Sequence, residues 1–151
     1  IEARERGLTR AIWTSNFKPE HLQRLIDVTG VAPEVNQIQC NPFTERVAER
    51  AFHEKHGIVT ESWAPLAAGT GLIGHPSVWE VADAHDATPA QAVLAWHIQQ
   101  GLLPIPKSSN WERLAENFAA LNLRLTDDEV RTLTALKSSD YHLMDSDHFG
   151  H

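Results

Sequence analysis

An α/β fold built on a parallel sheet is what this sequence predicts, and three observations carry the prediction. Strand-like and helix-like segments alternate about four times with short turns between them, the βα rhythm of parallel sheets. The strand-like runs end in Ser15-Asn16, Gln37, Trp63 and Lys107-Ser108, polar, aromatic or charged groups at the positions where such folds carry their chemistry. No fixed-period self-similarity runs through the chain, which excludes a solenoid.

Composition sets compatible limits. The chain has 151 residues, 42% hydrophobic and 22% charged, enough for one core. A net charge of −7 argues against nucleic acid or an anionic membrane as the main partner. No run approaches the roughly 20 apolar residues of a membrane helix, and no signal-peptide pattern is visible. Cys40 is the single cysteine and cannot form an internal disulfide, so a reducing, cytoplasmic setting is expected. It reads as a small buried residue at a strand end, not as a nucleophile.

The elements follow in order. Residues 1–7 read as the end of a charged helix stopped by Gly7, an opening that suggests a fragment. Residues 8–15 form a strand, closed by Ser15-Asn16-Phe17, and Lys18-Pro19-Glu20 starts a helix. Leu22, Leu25 and Ile26 give that helix one apolar face, and Gly30 and Pro33 break it. A strand over 35–39 ends at Asn41-Pro42. The next helix is expected from about Thr44 to His56, with Val47, Ala48, Ala51 and Phe52 inward and His53 and His56 on the surface. A third strand spans 58–63, and a Gly-rich loop leads to a short helix containing Val78, Val81 and Ala82. Thr88-Pro89-Ala90-Gln91 is a capping box, and its helix presents Ala90, Val93, Leu94 and His97 before Gly101 ends it. The fourth strand is 102–105. Thr126 to Glu129 caps a last helix with Val130, Leu133 and Leu136 on one face, and 137–151 is a polar tail over the surface. Trp79 and Trp96 are assigned to the core and Trp63 to a site edge, while Trp13 and Trp111 have no assignment.

One stretch, residues 105–118, organises the rest. The fourth strand ends in Lys107-Ser108-Ser109, and Ser109 with Glu112 reads as a capping box opening a helix. The helix start offers unpaired N–H donors and partial positive charge, to which Lys107 and Arg113 add full charges. Such a site suits a terminal phosphate, which Arg113 can meet with two parallel hydrogen bonds. The alternative is an ordinary capped surface helix with a solvated basic pair.

Together these residues resemble the aldo-keto reductase family, over nearly the whole chain. Gly7-Leu8-Thr9-Arg10-Ala11-Ile12 with Ser15-Asn16-Phe17 is similar to that family's fifth strand and turn, and Val35-Asn36-Gln37 to its sixth. Trp63-Ala64-Pro65-Leu66 is similar to its seventh, and Ile105-Pro106-Lys107-Ser108 to its eighth. Thr88-Pro89-Ala90-Gln91 and Arg113 with Glu116-Asn117 occur in the family's order and spacing, and bacterial, actinobacterial-like reductases look most similar. The resemblance implies a (β/α)8 TIM-type barrel, of which this chain is the C-terminal half, strands five to eight with their helices. It implies NADPH as cofactor. Ser15, Asn16 and Gln37 would bond the nicotinamide carboxamide, and Trp63 would stack on the ring. Ala64, Leu66 and the loop behind them would line the pyrophosphate. Lys107, Ser108, Ser109 and Arg113 would hold the 2′-phosphate, and Glu116 and Asn117 the adenine. Trp13-Thr14, Cys40-Asn41 and Trp111 depart from the family's usual residues without removing any of these ligands.

The family's catalytic Asp, Tyr, Lys and His come from the other half of the barrel, so no catalytic residue is assigned here. Tyr141, the only tyrosine, lies in the polar tail outside any such context. His142, Asp145, Asp147, His148 and His151 have metal-ligand chemistry but nothing in the sequence that fixes their geometry, so no metal site is assigned. Two functions follow. The chain is the NADPH-binding portion of a reductase acting on small carbonyl compounds, inactive alone, or it is a non-catalytic nucleotide-binding or interaction half-barrel. Its expected partner is a missing N-terminal half-barrel or a second copy.

Overall fold

A computed structural model describes residues 1–138 and 141–148. Four strands make one sheet in the order β1-β2-β3-β4: β1 Trp13–Ser15, β2 Val35–Gln39, β3 Val59–Trp63 and β4 Leu103–Pro104. β1 and β2 are parallel, with Ser15 opposite Gln37. The helices are α1 Glu2–Glu5, α2 Pro19–Thr29, α3 Val47–His56, α4 Pro76–Asp83, α5 Pro89–Gln99, α6 Trp111–Ala119 and α7 Asp127–Thr134. The chain divides into two compact units. The first takes in Ile1–Ile38, Arg46–Glu61 and the described part of 144–151; the second takes in Gln39–Glu45 and the described part of 62–143.

In the first unit β1 is much shorter than the 8–15 expected. The Ile12 N–H donates to the Glu34 carboxylate at 2.6 Å rather than continuing a ladder, and Leu8 is exposed. α2 starts with Pro19 at its first position and stops at Gly30, which takes φ +69° at no steric cost. Its Leu22 is fully buried.

α3 begins three residues later than expected. Arg46, immediately before it, has φ +51°, which a helix interior does not admit, and Thr44 exchanges backbone hydrogen bonds with Asn41 instead. Its apolar face is also wrong in the sequence reading. Val47 is 65% exposed, Ala48 and Ala51 are exposed, and Phe52 is half-buried. The buried residue is His53, at 1% exposure, and His56 is half-buried with its ring stacked on Phe52 at 4.3 Å. Both histidines were expected on the surface. A stripe with polar members escapes an apolar count when hydrogen bonds make its burial tolerable.

The second unit is built around α5, which is buried almost all round: Ala92, Val93, Leu94, Ala95, Trp96 and His97 are all inside. The expected Thr88–Gln91 capping box forms, and so does the Thr126–Glu129 box that starts α7. Val78, Val81 and Ala82 of α4 are buried as expected. Trp79 is not in the core: it is half exposed at the edge of that buried stripe. Trp96 is fully buried and donates its indole N–H to Thr134 Oγ1 at 2.9 Å. Cys40, just past β2, is fully buried. β4 is only two residues long, because Pro104 has no N–H to give; the Ile105 N–H donates to the Ser62 carbonyl at 3.1 Å.

Candidate cofactor site

The strand-end cluster of the first unit is held from both sides of β2. Ser15 lies opposite Gln37, and the Asn16 N–H donates to the Gln37 carbonyl at 2.8 Å. Asn16 has φ +58°, a left-handed conformation that asparagine tolerates better than most residues. Its Nδ2 reaches Ser15 Oγ at 3.2 Å.

The turn is fastened by the neighbouring Asn36, whose side chain is fully buried. Asn36 Oδ1 accepts from Thr14 Oγ1 at 3.0 Å and from the Phe17 N–H at 3.4 Å. Its Nδ2 donates to the Phe17 carbonyl at 2.9 Å and to His53 Nε2 at 2.9 Å. Since Nδ2 is the donor, His53 Nε2 is the acceptor, and its Nδ1–H donates to Thr60 Oγ1 at 2.8 Å. Burial pushes the His53 imidazole from its ordinary 6.5 down to about 4, against the pull of Glu49. Gln37, pointing to the other face, gives its Nε2 to the Glu61 carboxylate. A hydroxyl and two amides at neighbouring strand ends offer the donors and acceptors that a primary carboxamide needs.

The second unit holds the remaining candidates. Trp63 ends β3 half-buried, and Ala64 follows in a left-handed conformation, φ +47°. The Ala64 carbonyl accepts from the Ala67 N–H at 3.0 Å and from Asn41 Nδ2 at 3.1 Å, so the loop containing half-buried Leu66 starts from a fixed turn.

At the start of α6 the cap differs from the expected one. Asn110, not Ser109, is the N-cap, and its Oδ1 accepts from the Arg113 N–H at 3.1 Å. Asparagine caps at least as well as serine, and the Ser108 hydroxyl turns the chain one step earlier by accepting from the Asn110 N–H. Ser109, Lys107 and Arg113 are exposed, Ser108 is half-buried, and among the described residues neither cation has an acidic partner. Glu116 accepts from Thr88 Oγ1 at 2.5 Å and Gln91 Nε2 donates to its main-chain carbonyl, so it ties α6 to the capped start of α5. Asn117 is half-buried beside it.

Two further groups escaped the sequence reading. Tyr141 is not isolated: its hydroxyl oxygen accepts from Gln39 Nε2 at 2.8 Å and from Asn41 Nδ2 at 2.6 Å. In the first unit, Lys18 pairs with Asp145 at 2.6 Å and with Asp147, which also meets His21 Nε2 at 3.0 Å. Hydrogen bonds from Lys18 hold the Asp145 carboxyl at about 2, and the two carboxylates raise the lysine above its ordinary value. His148 caps the same cluster through Asp145. The tail thus has fixed partners that no local pattern announced. Glu20, His21 and Asp147 bring three potential ligand atoms within 4.8 Å of one another, but the Lys18 ammonium already occupies Asp147. His142 leaves its carbonyl to Gln39, and His151 lies outside the described residues.

The sequence model of the aldo/keto reductase family matches residues 1–72 and 76–138. This chain belongs to that family. It is 46% identical over 137 residues to the 2,5-diketo-D-gluconic acid reductase B of Corynebacterium sp. (strain SHS752001), covering 91% of this chain and 50% of that protein. It is 42% identical over 151 residues to the methylglyoxal reductase DkgA of Escherichia coli (strain K12), covering 99% of this chain and 55% of that one. Among solved structures, a mutant of Gox0644 in complex with NADPH is 40% identical with a TM-score of 0.93, over 99% of this chain and 55% of that chain. The chain therefore spans about half the length of these aldo/keto reductases, and its four-stranded sheet with its helices is about half of their barrel.

Proposed function

We propose that this chain is the C-terminal, cofactor-holding half of a reductase that uses NADPH to convert small aldehydes and ketones to alcohols. When bound, the cofactor supplies the hydride. This chain's residues bind and orient it: Ser15, Asn16 and Gln37 at the carboxamide, Trp63 against the ring, and Ala64 and Leu66 along the pyrophosphate. Lys107, Ser108, Ser109 and Arg113 take the 2′-phosphate, and Glu116 and Asn117 the adenine.

The observation that carries the reading is the pair of exposed cations at the start of α6. In a chain of net charge −7, Lys107 and Arg113 stand beside a helix N-terminus without acidic partners among the described residues. The fit of Ser15, Asn16 and Gln37 to a carboxamide, and a relative solved with NADPH, support it further. Equilibrium titration with NADPH and NADH tests it. NADPH should bind more tightly, and Arg113→Ala should weaken NADPH alone by roughly 1.5–3 kcal/mol, the range for a charge-assisted hydrogen bond. Equal loss for both nucleotides would give Arg113 a structural role instead.

A second reading is a nucleotide-binding module without catalysis, for which the residues named above supply cofactor contacts and no assigned proton donor. The one phenol of the chain, Tyr141, accepts from two amides. In the reductase reading, the proton donor that carbonyl reduction requires comes from the other half of the barrel. General acid catalysis contributes about 10²–10⁴-fold, so the purified chain is expected to show no NADPH-dependent turnover of a reactive aldehyde, and measurable turnover would refute this.

A further inference from the structure

Glu61 is a carboxylate in the middle of β3, only 7% exposed. Burying a carboxylate is costly, and a glutamine would fill the same space without the charge. The arrangement around it explains what the charge does. Its hydrogen-bond partner among the described residues is Gln37 Nε2, at 2.5 Å.

The two ends of a glutamine amide are told apart by what they face. A carboxylate has no proton to give, so the end facing Glu61 is the nitrogen, and the oxygen is turned elsewhere. No donor among the described residues reaches Gln37 Oε1. β2 thus carries two successive amides with opposite tasks. Asn36 is saturated by Thr14, Phe17 and His53, whereas Gln37 keeps one acceptor open on the face it shares with Ser15.

We propose that Glu61 is a positioning residue for the cofactor. By taking Gln37 Nε2 it fixes Gln37 Oε1 as the acceptor for the N–H of a nicotinamide carboxamide. The inference rests on the cofactor reading above and goes beyond it, since Glu61 touches no cofactor itself. A glutamine at 61 could donate to Gln37 as readily as accept from it, and both amide orientations would then be populated.

Two measurements test this on the full chain. In the free protein, the Gln37 side-chain NH2 resonances should be displaced and protected from exchange in the wild type, and should return toward solvent values in Glu61→Gln. In binding titrations, NADPH is compared with its 3-acetylpyridine analogue, which has a methyl group where the carboxamide has its NH2. The wild type should prefer NADPH, and Glu61→Gln should narrow that preference by about three- to tenfold, the scale of one hydrogen bond. In a Gln37→Leu background the same substitution should narrow it no further. An unchanged preference, or equal weakening of both nucleotides by Glu61→Gln, overturns the proposal. Undisplaced Gln37 resonances in the wild type overturn it too, with the cofactor reading intact. Displaced resonances with neither nucleotide bound overturn the cofactor reading, and the carboxamide role with it.

Discussion

The turn at residues 15–17 and the start of α6 are both candidate cofactor contacts, and they are built by opposite means. The turn is fixed by geometry: a left-handed Asn16, a strand partner in register and a buried amide that bonds the main chain on both sides of Phe17. The start of α6 is fixed by one cap hydrogen bond, and its working side chains are exposed, with Trp111 beside them 84% exposed. The difference teaches what each can contribute. A rigid turn selects a shape and orients it, at little sensitivity to salt. Two long cations attract a dianion without holding a fixed pose, and salt screens them.

The largest effect expected from this contrast is on stability. Asn36→Ala would strand the Thr14 hydroxyl, both main-chain groups of Phe17 and His53 Nε2. Leaving buried polar groups unpaired should cost about 3 kcal/mol or more, whereas Arg113→Ala should stay within about 0.5 kcal/mol. Urea denaturation followed by tryptophan fluorescence measures both. A loss below about 1 kcal/mol for Asn36→Ala would show that the strand register alone holds the turn.

The next effect sharpens the same point by pH. His53 is held neutral, with a folded value of about 4 against 6.5 unfolded. Between those values the unfolded chain binds a proton that the folded chain refuses. Stability is therefore full above pH 6.5 and falls as pH drops toward 4, with a slope of roughly 1 kcal/mol per pH unit. Protonation would also put two donors face to face at Asn36 Nδ2. The carboxylates that their partners hold down, Glu34, Glu49, Glu129, Asp145 and Asp147, lose their contributions only at and below the ordinary carboxylate range. Unfolding free energies between pH 7 and 5 thus separate the His53 effect from these carboxylates. His53→Gln, which can still accept from Asn36, should flatten that segment, and an unaltered slope would assign it to other groups.

What the sequence made legible follows the same division. The βα order, β2, the stops at Gly30 and Gly101 and the boxes at Thr88 and Thr126 were readable, because each rests on local chemistry within a few residues. The α6 start was readable in kind but not in detail, since Ser109 and Asn110 are adjacent capping residues and only the fold decides between them. The supports of the turn, and separately the partners of Tyr141, were not readable. His53 meets Asn36 and Thr60, Gln37 meets Glu61, and Tyr141 meets Asn41 some hundred residues earlier. Such pairs are set by strand register and helix placement, which no periodicity encodes. α3 shows the cost of counting apolar residues alone: Val47 and Ala51 fit the pattern and face water, and the histidine between core groups was assigned to the surface.

The smallest predicted effect separates the two functions of residues 107–113. Asn110 holds the first turn of α6 through the Arg113 N–H, while the Arg113 side chain has no partner among the described residues. Asn110→Ala should therefore cost about 1 kcal/mol, the usual worth of a side-chain cap, and Asn110→Ser should recover most of it. If the helix start matters to NADPH only through its cations, both Asn110 variants should bind NADPH nearly as well as the wild type at low salt. If the N–H groups of the first turn themselves meet the phosphate, Asn110→Ala should lose affinity for NADPH in proportion to the fraying of that turn, with NADH unaffected. Circular dichroism for the helix and titration with both nucleotides for the site read the two quantities independently. A large stability loss from Asn110→Ala would mean that α6 depends on its cap as strongly as the turn depends on Asn36, and the contrast between the two regions would then fail.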